Sequence, residues 1–289
     1  MAVLFDTVAF IGVGLIGGSM ARAIKKNAIC NKIIGYGRRK SELEKALSLG
    51  VIDEIQTSIV DAISDADLVV LALPIGGFED VFRECVGNLK KDVVITDVGS
   101  AKQIVFDSAI KIFGKIPEEL VPAHPIAGTE KSGVEASFDS LFCNRCTIVT
   151  PDDCTSKEAI EKVTQLWERI GAEVVLMDSK HHDLVLAATS HLPHVLAFSL
   201  VDTLGKMHEH SEIFKFAAGG FRDFTRIASS DPAMWRDICL YNKEAIIDVL
   251  RSFESQLKNL EMAITKEDKA GIEEIFFRAK TARDEHITL

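Results

Sequence analysis

Two patterns of apolar and polar residues divide this chain. Up to about Met177, short β-rich runs alternate with helical stretches: TVAFIG, KIIGYG, DLVVLALP, DVVITDVG, ELVPAH, CTIVTP and AEVVLM, with amphipathic segments such as Leu15 to Lys26 and Lys157 to Arg169 between them. That alternation predicts βαβ units building a mostly parallel sheet. From Ser179 onward the strand signals vanish. The stretches DLVLAATSHLPHVLAFSLVDTLGKM, EAIIDVLRSFESQLKNLEMAI and KEDKAGIEEIFFRAKTARDEH carry apolar residues three and four apart, which predicts helices. No Pro/Gly/Ser linker separates the two halves, so a tight junction is expected. The helical half holds many apolar residues for a free-standing domain of its size, and a homodimer through the C-terminal helices would bury some of them.

Composition narrows the possibilities. At 289 residues, with 47% hydrophobic and 26% charged residues, the chain suits two soluble globular domains. A formal charge of -10 argues against nucleic acid or an anionic membrane surface, which need a positive field. MAVLFDTVAFIGVG lacks the basic, apolar and small-residue succession of a secretion signal, and no run approaches membrane-spanning length. A cytoplasmic location is therefore expected. The cysteines at 30, 85, 143, 146, 154 and 239 are scattered as in reduced proteins. Only CNRC, Cys143 to Cys146, has metal-like spacing, and it lacks a second ligand pair, so no metal is expected.

The clearest motif is VAFIGVGLIGGSMARAI, where Gly12, Gly14 and Gly17 give G-x-G-x-x-G between a strand and a helix. The first glycine permits the tight turn, the second admits a pyrophosphate, and the third lets helix and strand pack closely. Leu15 and Ile16 lie inside this turn, and Leu73 and Pro74 end the DLVVLALP run, so all four are candidate cofactor contacts. The expected fold class is α/β: a Rossmann-type doubly wound sheet over residues 1-178, then an all-α substrate and dimerisation domain over 179-289. An NAD site usually places an acid about 20 residues beyond the glycines. Here that position is Gly37, followed by Arg38 and Arg39, whose guanidinium groups suit a 2′-phosphate. NADP is expected over NAD.

Other residues carry candidate chemistry. Ser100, in TDVGSAKQIVFDSAI, sits where it would cap a helix and also face the cofactor crevice. His124, in LVPAHPIAGTEKSG, has the same placement one strand later, held extended by Pro125. In TSHLPH, His191 and His194 share a helix face, and Pro193 should kink or break that helix at the carbonyl of Thr189. AAGGFRDFTRIASSDPAMWRD concentrates Arg222, Arg226 and Arg236 beside a flexible turn at Gly219 and Gly220. Each arginine could grip a carboxylate or pair with Asp223, Asp231 or Asp237. Asp231 and Pro232 make a good helix start.

Together GVGLIGGS, VGSAK, HPIAGTEKSGVEAS, SHLPH and GGFRDFTRIASSDPAMWRDI closely resemble the prephenate/arogenate (cyclohexadienyl) dehydrogenase family of tyrosine biosynthesis, from about Thr7 onward. The resemblance implies NAD(P)-dependent oxidative decarboxylation of prephenate to 4-hydroxyphenylpyruvate and CO2, or of arogenate to tyrosine. It implies that His124 is catalytic, that Ser100 and His194 lie close to the substrate, and that Arg226 binds a substrate carboxylate. Thr129, Gly220, Arg222 and Trp235 match positions at or near the substrate side chain. No room is expected for the regulatory domain that some members carry. Two other readings are a related β-hydroxy acid or cyclic imine dehydrogenase and a nucleotide-sensing regulator. Neither would need the His124 block.

Overall fold

A computed structural model describes residues 2–129, 131–208 and 210–286. Among the described residues nine strands come first: β1 (Phe5–Ile11), β2 (Cys30–Tyr36), β3 (Glu54–Ile55), β4 (Leu68–Leu71), β5 (Val94–Asp97), β6 (Leu120–Val121), β7 (Ala123–Pro125), β8 (Cys146–Val149) and β9 (Glu173–Leu176). Between them run α1 (Leu15–Lys26), α2 (Lys40–Ser48), α3 (Ile59–Ile63), α4 (Phe78–Cys85), α5 (Gln103–Phe113) and α6 (Lys157–Arg169). Helices α7 (Ser179–Leu186), α8 (Leu192–Gly205), α9 (His210–Lys215), α10 (Gly219–Thr225), α11 (Pro232–Tyr241), α12 (Lys243–Thr265) and α13 (Lys269–His286) follow. Packing divides the chain into one compact unit ending at Lys243 and a second beginning at Glu244.

Strands β1 to β6 form one parallel sheet in the order β3-β2-β1-β4-β5-β6, the doubly wound arrangement. Its strand order reverses between β1 and β4, where such sheets open a ligand crevice. Side chains alternate across it with the period of two that a strand imposes. Val8, Phe10, Leu68 and Val70 join one core with Met20, Ile24, Val163 and Trp167; Ala9, Ile11, Val69 and Leu71 join another with Phe78, Phe82, Val105 and Phe106. Burying each large apolar side chain contributes about 1.5–3 kcal/mol, so both faces hold the strands in register.

ELVPAH, expected as one strand, divides at Pro122. Its first part, β6, ends the main sheet; its second, β7, joins a separate sheet of order β7-β8-β9. There β7 runs antiparallel to β8, with His124 opposite Ile148, and β9 runs parallel to β8. The short β3 was not anticipated, because two residues present no pattern.

Ser179–Gly205 is continuously helical for 27 residues, and an 18-residue window within it has a mean hydropathy of 1.6, so it is long and apolar enough by length and composition to cross a membrane. This corrects the expectation that no run approaches that length. Lys180, Asp183, Asp202 and four histidines interrupt the run, which hid it in the sequence. Several of these polar groups are buried within the protein: His182, Asp183 and His191 all form hydrogen bonds there. Pro193 does not break the helix either. Residues Ala187–His191 widen into a π-helical turn just before it, which absorbs the missing N–H.

Candidate active site

The glycine motif occupies the reversal point of the main sheet. Gly12 follows β1 with φ +103°, and a Cβ there would lie 2.3 Å from the Ala72 carbonyl oxygen beyond β4. Gly14 caps α1 with no side-chain hydrogen bond, and a Cβ on it would meet nothing within 4 Å. At Gly17 the same atom would fall 2.5 Å from the Gly12 oxygen and 2.8 Å from the Ala72 Cβ. Each glycine therefore does its separate job: a left-handed turn, an open approach, and close packing of helix on strand. The uncapped N–H groups at the start of α1 suit a pyrophosphate.

The remaining nucleotide candidates surround this turn. Leu15 has a buried side chain, so it can meet a ligand only through its amide, while Ile16 is half-buried. Leu73 and Pro74 follow β4 and lead into a short turn at Ile75–Gly77. Gly37, Arg38 and Arg39 follow β2, with both guanidinium-bearing residues exposed.

His124 lies on β7, extended as expected, and is buried. Its Nδ1 is 2.9 Å from His182 Nε2, and His182 Nδ1 is 2.8 Å from Asp183 Oδ1. The two Asp183 oxygens also accept the backbone N–H groups of Lys102 and Gln103, at 2.8 and 3.0 Å. These partners assign the tautomers. As a pure acceptor, Asp183 fixes the His182 proton on Nδ1; His182 Nε2 then accepts from His124 Nδ1–H, and His124 Nε2 keeps a free lone pair. Burial, together with His182, Lys102 and His191, holds His124 well below the ordinary histidine range near 6.5. The ring is neutral at neutral pH, the form a general base requires.

A second cluster adjoins the first. His191 is pushed down to about 4, by burial above all, while Asp183 and the Ser100 backbone oppose the shift. Asn242 Nδ2 lies 3.1 Å from His191 Nδ1 and donates to the Asp183 carbonyl at 2.8 Å. Trp235 stacks on His194 at 3.7 Å between centroids, 19° from parallel, and meets His191 edge-on at 6.1 Å. Burial lowers the His194 pKa; its hydrogen bond to the Ser190 carbonyl opposes the shift, and the Arg226 charge adds to it. Among the described residues, Trp235 Nε1 is a buried donor without a protein partner, the kind of atom a ligand satisfies.

Two local expectations need correction. Ser100 is not the cap of α5, which begins three residues later at Gln103; the Asp183 carboxylate caps it from 80 residues away. Gly219 and Gly220 do not form a turn, because they open α10. Arg236 pairs with Asp237 at 2.6 Å, and Asp231 accepts from the N–H groups of Ala233 and Met234 as a cap should. Thr129, Gly220 and Arg222 are exposed, and Thr129 Oγ1 accepts the Lys131 N–H at 3.2 Å. No group of three or more His, Cys, Asp or Glu among the described residues is placed to hold a metal ion.

Residues 20–176 match the family model for the prephenate dehydrogenase nucleotide-binding domain, and residues 178–278 match the prephenate dehydrogenase dimerization domain. The chain belongs to the prephenate dehydrogenase family. It is 40% identical to the cyclohexadienyl dehydrogenase of Zymomonas mobilis, over 97% of this chain and 96% of that protein. It is also 40% identical to the prephenate dehydrogenase of Bacillus subtilis, covering 96% of this chain and 75% of the relative. Among solved structures, the prephenate dehydrogenase of Aquifex aeolicus in complex with hydroxyphenyl propionate and NAD+ superposes with a TM-score of 0.90 at 39% identity, over 97% of this chain and 98% of that one.

Within this family member, sequence reasoning missed His182 and Asp183. The signal was present: KHHDL places ionisable residues at the head of a helix that is otherwise strongly apolar. Such residues in an apolar run need a partner.

Proposed function

We propose that this protein oxidatively decarboxylates prephenate to 4-hydroxyphenylpyruvate and CO2, with hydride transfer to a nicotinamide nucleotide. The supporting observation is the buried chain from Asp183 through His182 to His124, beside the crevice of a nucleotide-binding sheet. The open position at Gly14 and the uncapped start of α1 fit a dinucleotide, held by Gly12, Gly14, Leu15, Ile16, Gly17, Leu73 and Pro74. When bound, the nucleotide supplies the hydride acceptor. His124 Nε2 accepts the proton of the ring C4 hydroxyl while His182 keeps the Nδ1 proton in place. The C4 carbonyl that forms is conjugated to the carbon bearing the ring carboxylate, so loss of CO2 is driven by aromatisation. Arg226 grips a substrate carboxylate, with His194 and Trp235 forming the wall beside it and Ser100, Thr129, Gly220 and Arg222 around the side chain. Residues 179–289 act as the substrate and dimerisation domain. Leu184, Phe216 and Leu240, each more than half exposed, are apolar positions that a homodimer would cover.

The deciding assay sets prephenate and arogenate against NAD and NADP and follows reduced nicotinamide. Turnover of prephenate is expected with either nucleotide, and its complete failure would overturn the proposal. Arogenate turnover alone would make the enzyme an arogenate dehydrogenase.

NADP is the expected preference, because Arg38 and Arg39 stand where an acid would bind the ribose. Asp fits at 37, since a Cβ there meets only Leu43, at 3.6 Å. Gly37→Asp with Arg38→Ser should shift kcat/KM toward NAD. Equal efficiency with both nucleotides before and after would remove the arginines from the reading.

A further inference from the structure

We infer that the buried pair Asp97 and Lys102 is a positioning element for His124, completing the outer edge of β7 by holding both backbone polar groups of Ala123, which flank its junction with His124. Along this strand, Pro122 O and Ile126 N–H bond toward β8, accepting from Thr150 and donating to Cys146. Ala123, out of phase with them, turns its N–H and carbonyl the other way, where no strand among the described residues pairs with β7. Asp97 Oδ1 accepts the Ala123 N–H at 3.2 Å, and Lys102 Nζ donates to the Ala123 carbonyl at 2.9 Å. Asp97 Oδ2 accepts from Lys102 Nζ and, at 2.7 Å, from the Gly99 N–H. The side chains are 1% and 0% exposed.

A pair this deep is not explained by stability. Taking two charges out of water costs several kcal/mol each, and well-packed apolar residues often do as well or better. What apolar residues cannot do is accept from a strand residue's N–H and donate to its carbonyl. The Lys102 backbone N–H also bonds Asp183 Oδ1, so one residue fixes both ends of the His124–His182–Asp183 chain.

The ionisable groups facing His124 are His182 and Asp183 from α7, His191 from the π turn, and Asp97 and Lys102 from the segment between β5 and α5. Burial pushes the Asp97 carboxyl up and the Lys102 ammonium down, each opposed by the other's charge. The Lys102 charge disfavours a proton on His124.

The inference rests on reading His124 as the base, and its test separates the two. Lys102→Met should lower kcat by about 10- to 100-fold, as loss of an orienting partner does. Nucleotide affinity should stay nearly unchanged, and the acid limb of kcat/KM should move to higher pH, because a positive charge near the ring is gone. Lys102→Met combined with His124→Asn should be no slower than His124→Asn alone. Histidine ring NMR without substrate should show the His124 signals displaced. A lower melting temperature with kcat, acid limb and ring signals unmoved would overturn the inference, as would losses that multiply in the double variant. Should Lys102→Met fail to fold, the nearly isosteric Asp97→Asn decides by the same kcat and ring signals. Absence of prephenate turnover in the unmodified protein would overturn only the proposed function, because the ring signals need no substrate.

Discussion

His124→Asn should lower kcat for prephenate by roughly 10²–10⁴, the contribution of a positioned general base, while nucleotide affinity stays nearly unchanged. That loss corresponds to about 3–5 kcal/mol of transition-state stabilisation. Asn can replace the Nδ1 hydrogen bond to His182 but offers no imidazole lone pair at the reacting hydroxyl. The unmodified enzyme has a pH signature of its own. Because burial and the neighbouring charges hold His124 well below 6.5, the free base persists through pH 6.5 and protonates only in more acid solution. The acid limb of kcat/KM therefore lies below pH 6.5. Turnover of prephenate unaltered by His124→Asn would end the mechanism; an acid limb above 7 would mean a different titrating group.

Asp183→Asn is the second large effect, with an expected loss in kcat of roughly 10⁴, the scale seen when a histidine's orienting carboxylate is lost. The carboxylate now accepts from three donors: Lys102 N–H, Gln103 N–H and His182 Nδ1–H. An amide has one oxygen and one NH2, so it cannot face all three as an acceptor. If its NH2 faces His182, the ring must turn its proton to Nε2. His124 Nδ1 then accepts, its own proton moves to Nε2, and the base presents an N–H to the substrate. If its NH2 faces Gln103, the α5 cap is lost at a cost of about 1 kcal/mol. Kinetics, histidine ring NMR and thermal melting distinguish these outcomes. Full activity with an unchanged melting temperature would remove Asp183 from the relay.

Local signals in the chain announced what local physics builds. The boundaries of α1 and α6, the glycine turn and the Asp231 cap each depend on neighbours within one or two turns, and all are as expected. The parallel sheet and the all-helical remainder followed from periodicity. The relay was less legible, because His182 stands 58 residues from His124 and nothing in sequence spacing joins β7 to α7. Ser100 misled for the same reason: a serine before a helix suggests a local cap, whereas the carboxylate that caps α5 arrives from another helix. Pro122 hid the division of one apolar run between two sheets, because an apolar run looks alike whichever partner it finds.

The π turn before Pro193 means that this helix holds extra chain for its length. If Pro193→Ala let the turn relax into regular α-helix, every residue beyond it would rotate by about 100° relative to those before it. His194 would leave the face of Trp235, while His182, upstream, would keep its place beside His124. The bulge thus sets the phase between the two halves of one helix. One proline would thereby decide whether the His124–His182 pair and the His194–Trp235 stack keep their present relative orientation.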